Sequence, residues 1–141
     1  MKSRGFTIVE LLIVIVVIGI LSAITIVAFN GIQQRGRDSV RSSDVKSLQK
    51  AIELYKADNN QYPLHAGGTD GTGYNISDLA SILVPTYIAK IPPDPKTGQY
   101  QYVRGPAANA GYGIRISFEG KPMCKVGVNT ASTGWWGVAD C

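Results

Sequence analysis

The sequence predicts an α+β protein in which a long N-terminal helix, membrane-spanning in its first half, packs on a small antiparallel sheet. An apolar run at residues 6–29 exceeds the roughly 20 residues needed to cross a bilayer. Farther along, apolar residues at spacings of three and four form one stripe of a continuing helix: Val45, Leu48, Ile52 and Tyr55. In the last third, alternating apolar residues predict strands.

The apolar run contains one charge, Glu10. An unpaired carboxylate costs roughly 2.5–3.5 kcal/mol at the centre of a membrane helix, and less near its end. A cleaved secretory signal has a shorter apolar core than this run, and a plain membrane anchor leaves Glu10 unexplained. A third interpretation is a short basic leader that is cut after Gly5. The freed α-amino group of Phe6, best from a neighbouring chain, would then neutralise Glu10.

Residues 4–14 resemble the class III signal of type IV pilins and type II secretion pseudopilins, through a Gly5–Phe6 junction, Glu10 four residues later and the apolar run. The resemblance implies the type IV pilin fold. It also implies that a prepilin peptidase cuts after Gly5 and methylates the amine of Phe6, and that an inner-membrane assembly platform builds a homo-oligomeric filament. We expect Glu10 to pair with the Phe6 amine of another subunit and so to set the axial register.

Four segments are expected: a leader at 1–5, a transmembrane and filament-core helix at 6–30, a helix continuing into the head at 31–60, and an α+β head at 61–141 with a C-terminal disulfide loop. Lys2 and Arg4 favour a cytoplasmic N-terminus, although the basic residues just beyond the span weaken that argument: Arg35, Arg37 and Arg41. The expected localisation is therefore a single-pass membrane protein that later joins an extracellular filament.

Between Ile32 and Asp44 only Val40 is clearly apolar. We therefore expect this stretch to join membrane and head without burying a face in its own domain, its charges meeting those of neighbouring subunits in a filament. A solvated linker is the alternative, because Gly31 and Gly36 weaken a helix. The helix is expected to end at residues 58–60, ahead of a proline at position 63.

The region after the helix is predicted to contain loops and one short helix. Residues 63–75 are rich in Gly, Thr and Asp and predict a loop, and Ser77 is expected to cap a short helix that ends near Pro85. The proline-rich stretch 84–102 is similar to the loop that precedes the sheet in major pseudopilins and many pilins. His65 has no catalytic partner nearby in sequence. No metal site is expected, because the spacing of the available oxygen ligands matches no EF-hand: Asp70, Thr72, Asn75 and Asp78.

Residues 100–103, 112–118 and 123–128 predict strands of a three- or four-stranded antiparallel sheet that covers the helical stripe. Cys124 and Cys141 suggest one disulfide in an oxidising compartment, two free thiols being the alternative. The loop between them resembles the disulfide-bounded region of type IV pilins. Major pseudopilins usually carry an acidic calcium loop there instead, but only Asp140 is acidic here. Trp135 and Trp136 in this loop favour core or subunit-interface packing over a ligand platform.

The sequence contains no nucleophile–base pair, metal cluster or phosphate loop, so we expect no enzyme, no metal and no cofactor. The net charge of +4 is spread along the chain, and nucleic-acid binding is therefore not favoured. The function expected is a structural subunit of a type IV pilus-like filament. The alternatives are a pseudopilin of a type II secretion or DNA-uptake system, or a minor pilin that binds DNA or surfaces in cell adhesion. The disulfide weakly favours a pilin.

Overall fold

A computed structural model describes residues 5–130 and 137–141 of the chain. It contains one long helix, a short 3-10 helix, one short α-helix and four strands. They are α1 (Ile8–Asn59), β1 (Gly73–Asn75), the 3-10 helix (Ile76–Leu79), α2 (Ala80–Leu83), β2 (Gln101–Arg104), β3 (Tyr112–Ile116) and β4 (Cys124–Val128). The predicted α+β class, with a long N-terminal helix and a small antiparallel sheet, is confirmed. Lys2, Arg4, Trp135 and Trp136 lie outside the described residues.

The chain divides into two compact units, Met1–Gly36 and Arg37–Cys141. In the first unit, every large apolar side chain between residues 6 and 32 is exposed. The most apolar window of α1 has a mean hydropathy of 3.2, and by length and composition the helix can cross a membrane. Because so large an exposed apolar surface is unfavourable in water, it requires lipid or other protein around it.

The second unit is built around the four-stranded sheet, whose order is β1-β2-β3-β4 with every neighbouring pair antiparallel. Ile114 of β3 and Val126 of β4 are cross-strand partners on the face that meets α1. Leu48 and Ile52 are completely buried in the same core. The predicted packing of the helical stripe against the alternating strand residues is thus confirmed, because each element hides one apolar face on the other.

The prediction of a loop over residues 63–75 is wrong at its end, where β1 forms the edge of the sheet and Tyr74 pairs with Tyr102. Gly and Asn are poor strand formers, so the pairing with β2, and not the local composition, specifies this strand. Ser77 does not cap a helix: the 3-10 helix already begins at Ile76, and the preceding Asn75 makes no side-chain capping bond. The predicted end of α1 is confirmed at Asn59.

The prediction that the stretch between Ile32 and Asp44 buries no face in its own domain is wrong within the second unit. Arg41 is only 3% exposed, and its guanidinium binds the carboxylate of Asp94. Asp44 accepts a hydrogen bond of 2.8 Å from the hydroxyl of Tyr100. The burial here is polar, and hydrophobic periodicity contains no signal for it.

Candidate functional site

The helix α1 begins with a reciprocal pair of hydrogen bonds between Thr7 and Glu10. The Thr7 hydroxyl accepts the backbone N–H of Glu10 at 3.2 Å, and the Glu10 carboxylate accepts the backbone N–H of Thr7 at 2.8 Å and its hydroxyl at 2.7 Å. This arrangement is a capping box, which satisfies donors that the first helical turn leaves unpaired. It explains why the helix starts at Ile8 rather than at Phe6, where the sequence placed it.

The three residues predicted for processing and assembly lie together at this end of the helix. Phe6 is 84% exposed, and Gly5 is exposed with open space where a Cβ would be. Both residues that flank the predicted cleavage point are therefore exposed. Glu10 lies in the first turn, where the helix dipole favours a negative charge. The negative charge of Glu10 thus lies four residues from Phe6, whose amine would carry a positive charge after cleavage.

Thr7 was missed by the sequence reasoning, although the signal was present. A Thr followed three residues later by Glu, just ahead of an apolar run, is the spacing of a capping box. Besides carrying a charge, Glu10 thus helps to cap its own helix. In the described structure, Glu10 is therefore not an isolated carboxylate but one that hydrogen bonds to its own chain.

Cys124 and Cys141 form a disulfide, with an S–S distance of 2.06 Å and a Cα–Cα distance of 5.0 Å. The residues next to Cys141 run along β4: the N–H of Lys125 donates to the carbonyl of Ala139, and the N–H of Cys141 donates to the carbonyl of Lys125, both at 2.9 Å. Asp140 accepts a hydrogen bond of 2.7 Å from the hydroxyl of Thr130. The disulfide and these bonds attach the C-terminal segment to the sheet.

The oxygen-rich loop after α1 is organised by pairing within the protein. Asp70 forms an ion pair with Arg104. The described residues contain no group of three or more His, Cys, Asp or Glu side chains arranged to hold a metal ion. His65 is half-buried: its ring packs edge-on against Tyr74 with centroids 4.1 Å apart, and its Nδ1 lies 2.9 Å from the carbonyl oxygen of Ala66. These contacts give the loop a structural role.

The sequence reasoning also missed a partly buried group of charged side chains around Arg41. Its members come from the helix, from the proline-rich loop and from the turn between β3 and β4. No local motif marks them, since Arg41 lies 53 residues from Asp94 and 78 residues from Glu119.

Two family models match the chain. The prokaryotic N-terminal methylation motif covers residues 1–26, and type II secretion system (T2SS), protein G covers residues 29–130. The type II secretion system core protein G of Escherichia coli (strain K12) is 29% identical over 142 aligned residues, covering 95% of this chain and 92% of that protein. Its counterpart in Klebsiella michiganensis is 33% identical over 105 residues, or 72% and 74% of the two chains, and that in Aeromonas hydrophila is 31% identical over 103 residues, or 71% and 72%. No solved structure matches the chain significantly.

Proposed function

We infer from its structure that this chain, which belongs to the type II secretion system protein G family, works as a pseudopilin: a membrane-anchored structural subunit that joins a filament through its N-terminal helix. One observation carries this inference. The methylation motif at residues 1–26 is followed directly by the protein G match at residues 29–130. The helix that begins in the motif continues into the protein G region, and its first half is apolar and exposed. The sequence left three functions open, namely a pilus subunit, a pseudopilin and a minor pilin that binds DNA or surfaces, and the comparisons favour the secretion pseudopilin. The disulfide therefore does not separate the two kinds of filament.

The first unit supplies the driving force for assembly. Its large apolar side chains are exposed along residues 6–32. In the membrane these side chains face lipid. In a filament they would be buried against the same surfaces of neighbouring copies, so that a subunit leaving lipid does not expose them to water.

We propose that a prepilin peptidase cuts after Gly5 and methylates the amine of Phe6. The methylated amine stays cationic near neutral pH, because an N-methyl group does not remove its basicity. Glu10 is the one charged side chain in residues 6–34. It is held by Thr7 before cleavage, and the Phe6 amine of a neighbouring subunit is the cation that would meet it in the filament.

Replacing Glu10 with Gln tests this pairing, since Gln has the same shape and no charge. We expect Glu10→Gln to be cut and methylated like the wild type but to be lost from filaments sheared off the cells. Asp78→Asn, an equal change at an exposed site in the head, is the matched control. Mass spectrometry of the N-terminus reports the cleavage, and the sheared fraction reports assembly. Wild-type amounts of Glu10→Gln filament would refute the pairing.

We further propose that the N-terminus lies in the cytoplasm, that the head lies beyond the membrane, and that an inner-membrane platform assembles the subunits. The chain itself would have a structural role and no catalytic one. Protease added to spheroplasts should then degrade the head and leave a membrane-protected N-terminal fragment. A head that resists this treatment until the membrane is broken would contradict the orientation.

A further inference from the structure

Six charged side chains from three separate segments meet in the second unit, and we call them the Arg41 cluster. Three come from α1, two from the proline-rich loop after α2, and one from the turn between β3 and β4. They are Arg37, Asp38 and Arg41; Asp94 and Lys96; and Glu119. With three cations and three anions, the cluster is electrically balanced.

Arg41 lies at the centre of this cluster. Its Nε and Nη2 donate to the two carboxylate oxygens of Asp94 at 2.7 and 3.0 Å, a bidentate pair. Its Nη1 donates to Asp38 at 2.8 Å and to Glu119 at 3.1 Å. The side chain is 4% exposed. A planar guanidinium with a fixed fork of donors can make this set of bonds in only one orientation.

The carboxylates bind backbone as well as side chains. Asp38 accepts the N–H groups of Glu119 and Gly120 at 3.0 and 2.9 Å, so the helix directly holds the β3–β4 turn. Asp94 accepts the N–H groups of Lys96 and Gly98 at 2.9 and 3.2 Å, which shapes its own loop. The cluster therefore determines the conformation of two loops as well as their contact with the helix.

Glu119 joins the remaining cations to the cluster. It forms a bidentate pair with Arg37, at 2.6 and 2.8 Å, and accepts Lys96 Nζ at 3.2 Å. Lys96 belongs to the same loop as Asp94, so Glu119 links that loop to the β3–β4 turn. Each of the three segments is thus bound to both of the others.

Apolar packing does not anchor this part of the helix. The first residue of α1 in the hydrophobic core is Val45, one turn beyond Arg41. A buried ion network adds little net stability over well-packed apolar residues, but it does require one geometry. The cluster is therefore the part of the head that determines how the helix upstream of Val45 contacts the two loops.

We propose that the Arg41 cluster is a positioning device, which holds residues 37–41 of α1 in fixed register on the proline-rich loop and the β3–β4 turn so that these parts of the head enter a filament as one body. The proposal rests on the pseudopilin function for its role in assembly. Arg41 is the positioning residue, since it alone contacts all three carboxylates.

Hydrogen exchange of the full-length protein in detergent tests the device before any assembly. Arg41→Lys keeps the charge but loses the fork, and Arg35→Lys makes the same change at an exposed position of the same helix. We expect the amides that donate to Asp38 and Asp94 to exchange about tenfold faster in Arg41→Lys, with those of β3 changed by less than about twofold. The donors that report the change are Lys96, Gly98, Glu119 and Gly120. Arg35→Lys should match the wild type.

Unchanged exchange of these amides in Arg41→Lys would refute the proposal that the cluster is a positioning device. Equal acceleration throughout the head would also overturn it, because the cluster would then contribute only to global stability. Should Arg41→Lys fail to fold, Asp38→Asn provides the same comparison: it weakens the bonds from the β3–β4 turn and from Arg41 but leaves the Arg41–Asp94 pair in place.

The role in assembly is measured separately, as the amount of filament sheared from cells. Arg41→Lys should yield several-fold less filament than the wild type while its N-terminus is cut and methylated normally. Faster exchange with normal filament would overturn the role in assembly. A wild type that never enters filaments would instead overturn the pseudopilin function, and the exchange result would stand.

Discussion

Changing both Cys124 and Cys141 to serine is expected to destabilise the head by about 3 kcal/mol. The two residues are 17 positions apart. For a closed loop of this length, the chain-entropy relation removes about 11 cal/mol/K from the unfolded ensemble, which is about 3 kcal/mol at 25 °C. The unfolding equilibrium constant should therefore rise roughly 100-fold or slightly more.

The loss of stability should begin at the C-terminal segment. Two backbone hydrogen bonds of 2.9 Å join Ala139 and Cys141 to Lys125 of β4, and such bonds contribute about 1 kcal/mol each. Without the disulfide, this short segment keeps these two bonds and the Thr130–Asp140 bond, and weakly restrained chain ends fray. The amide of Cys141, or of the serine that replaces it, should consequently exchange faster than the amides of β3.

The assay is urea unfolding of the full-length chain in detergent, followed by near-ultraviolet circular dichroism of the buried head tyrosines. They are Tyr62, Tyr100, Tyr102 and Tyr112. Reduction of the wild type should reproduce the double variant, which serves as a control for the substitutions themselves. An unfolding midpoint that neither treatment lowers would refute the argument from loop closure.

Three further predictions use the same protein. Leu48→Ala removes a completely buried side chain under the sheet and should lower the free energy of unfolding by about 2–5 kcal/mol. Leu54→Ala, at a position that is 46% exposed, should lower it by less than about 1 kcal/mol. Equal losses of unfolding free energy in urea would contradict the core assignment. A hydrogen bond from Arg37 lowers the pKa of Glu119 from 4.5 to about 2. Because the folded pKa is the lower one, this contribution to stability is complete above about pH 4.5 and is lost as the pH falls towards 2; a head that gains stability on acidification would disprove it. Thr7→Val removes the capping hydroxyl and should destabilise the first turn of α1 by about 1 kcal/mol, which would be seen as faster amide exchange in that turn. Thr7→Ser keeps the hydroxyl and should leave this exchange unchanged. Identical exchange in the two variants would exclude the capping role.

The helix and the central strands could be predicted because their apolar residues repeat with the period of the element. Leu48 and Ile52 lie one turn apart on a helix, and Ile114 and Ile116 alternate along a strand, so each set marks a buried face. The edge strand β1 could not be predicted in this way. Two of its three residues, Gly73 and Asn75, have little strand propensity, and its partner β2 begins 26 positions after β1 ends.

The N-terminal motif could be recognised from the sequence because its residues lie close together along the chain. Gly5, Phe6 and Glu10 lie within six consecutive residues, and the chemistry of each depends on the others' spacing. The Arg41 cluster is the opposite case. Its ion pairs join residues 53 and 78 positions apart, and charged residues that pair at such distances follow no period. This stretch of helix was therefore expected to bury no face in its own domain, although Arg41 is buried.

The central claim is that a subunit's Glu10 pairs with the freed, methylated amine of a neighbour's Phe6. The most direct test is a structure of the native filament at a resolution that shows side chains. The account predicts that each Glu10 carboxylate lies within about 4 Å of a Phe6 nitrogen from another copy. A Glu10 that faces water, or that has no such nitrogen within reach, would contradict it.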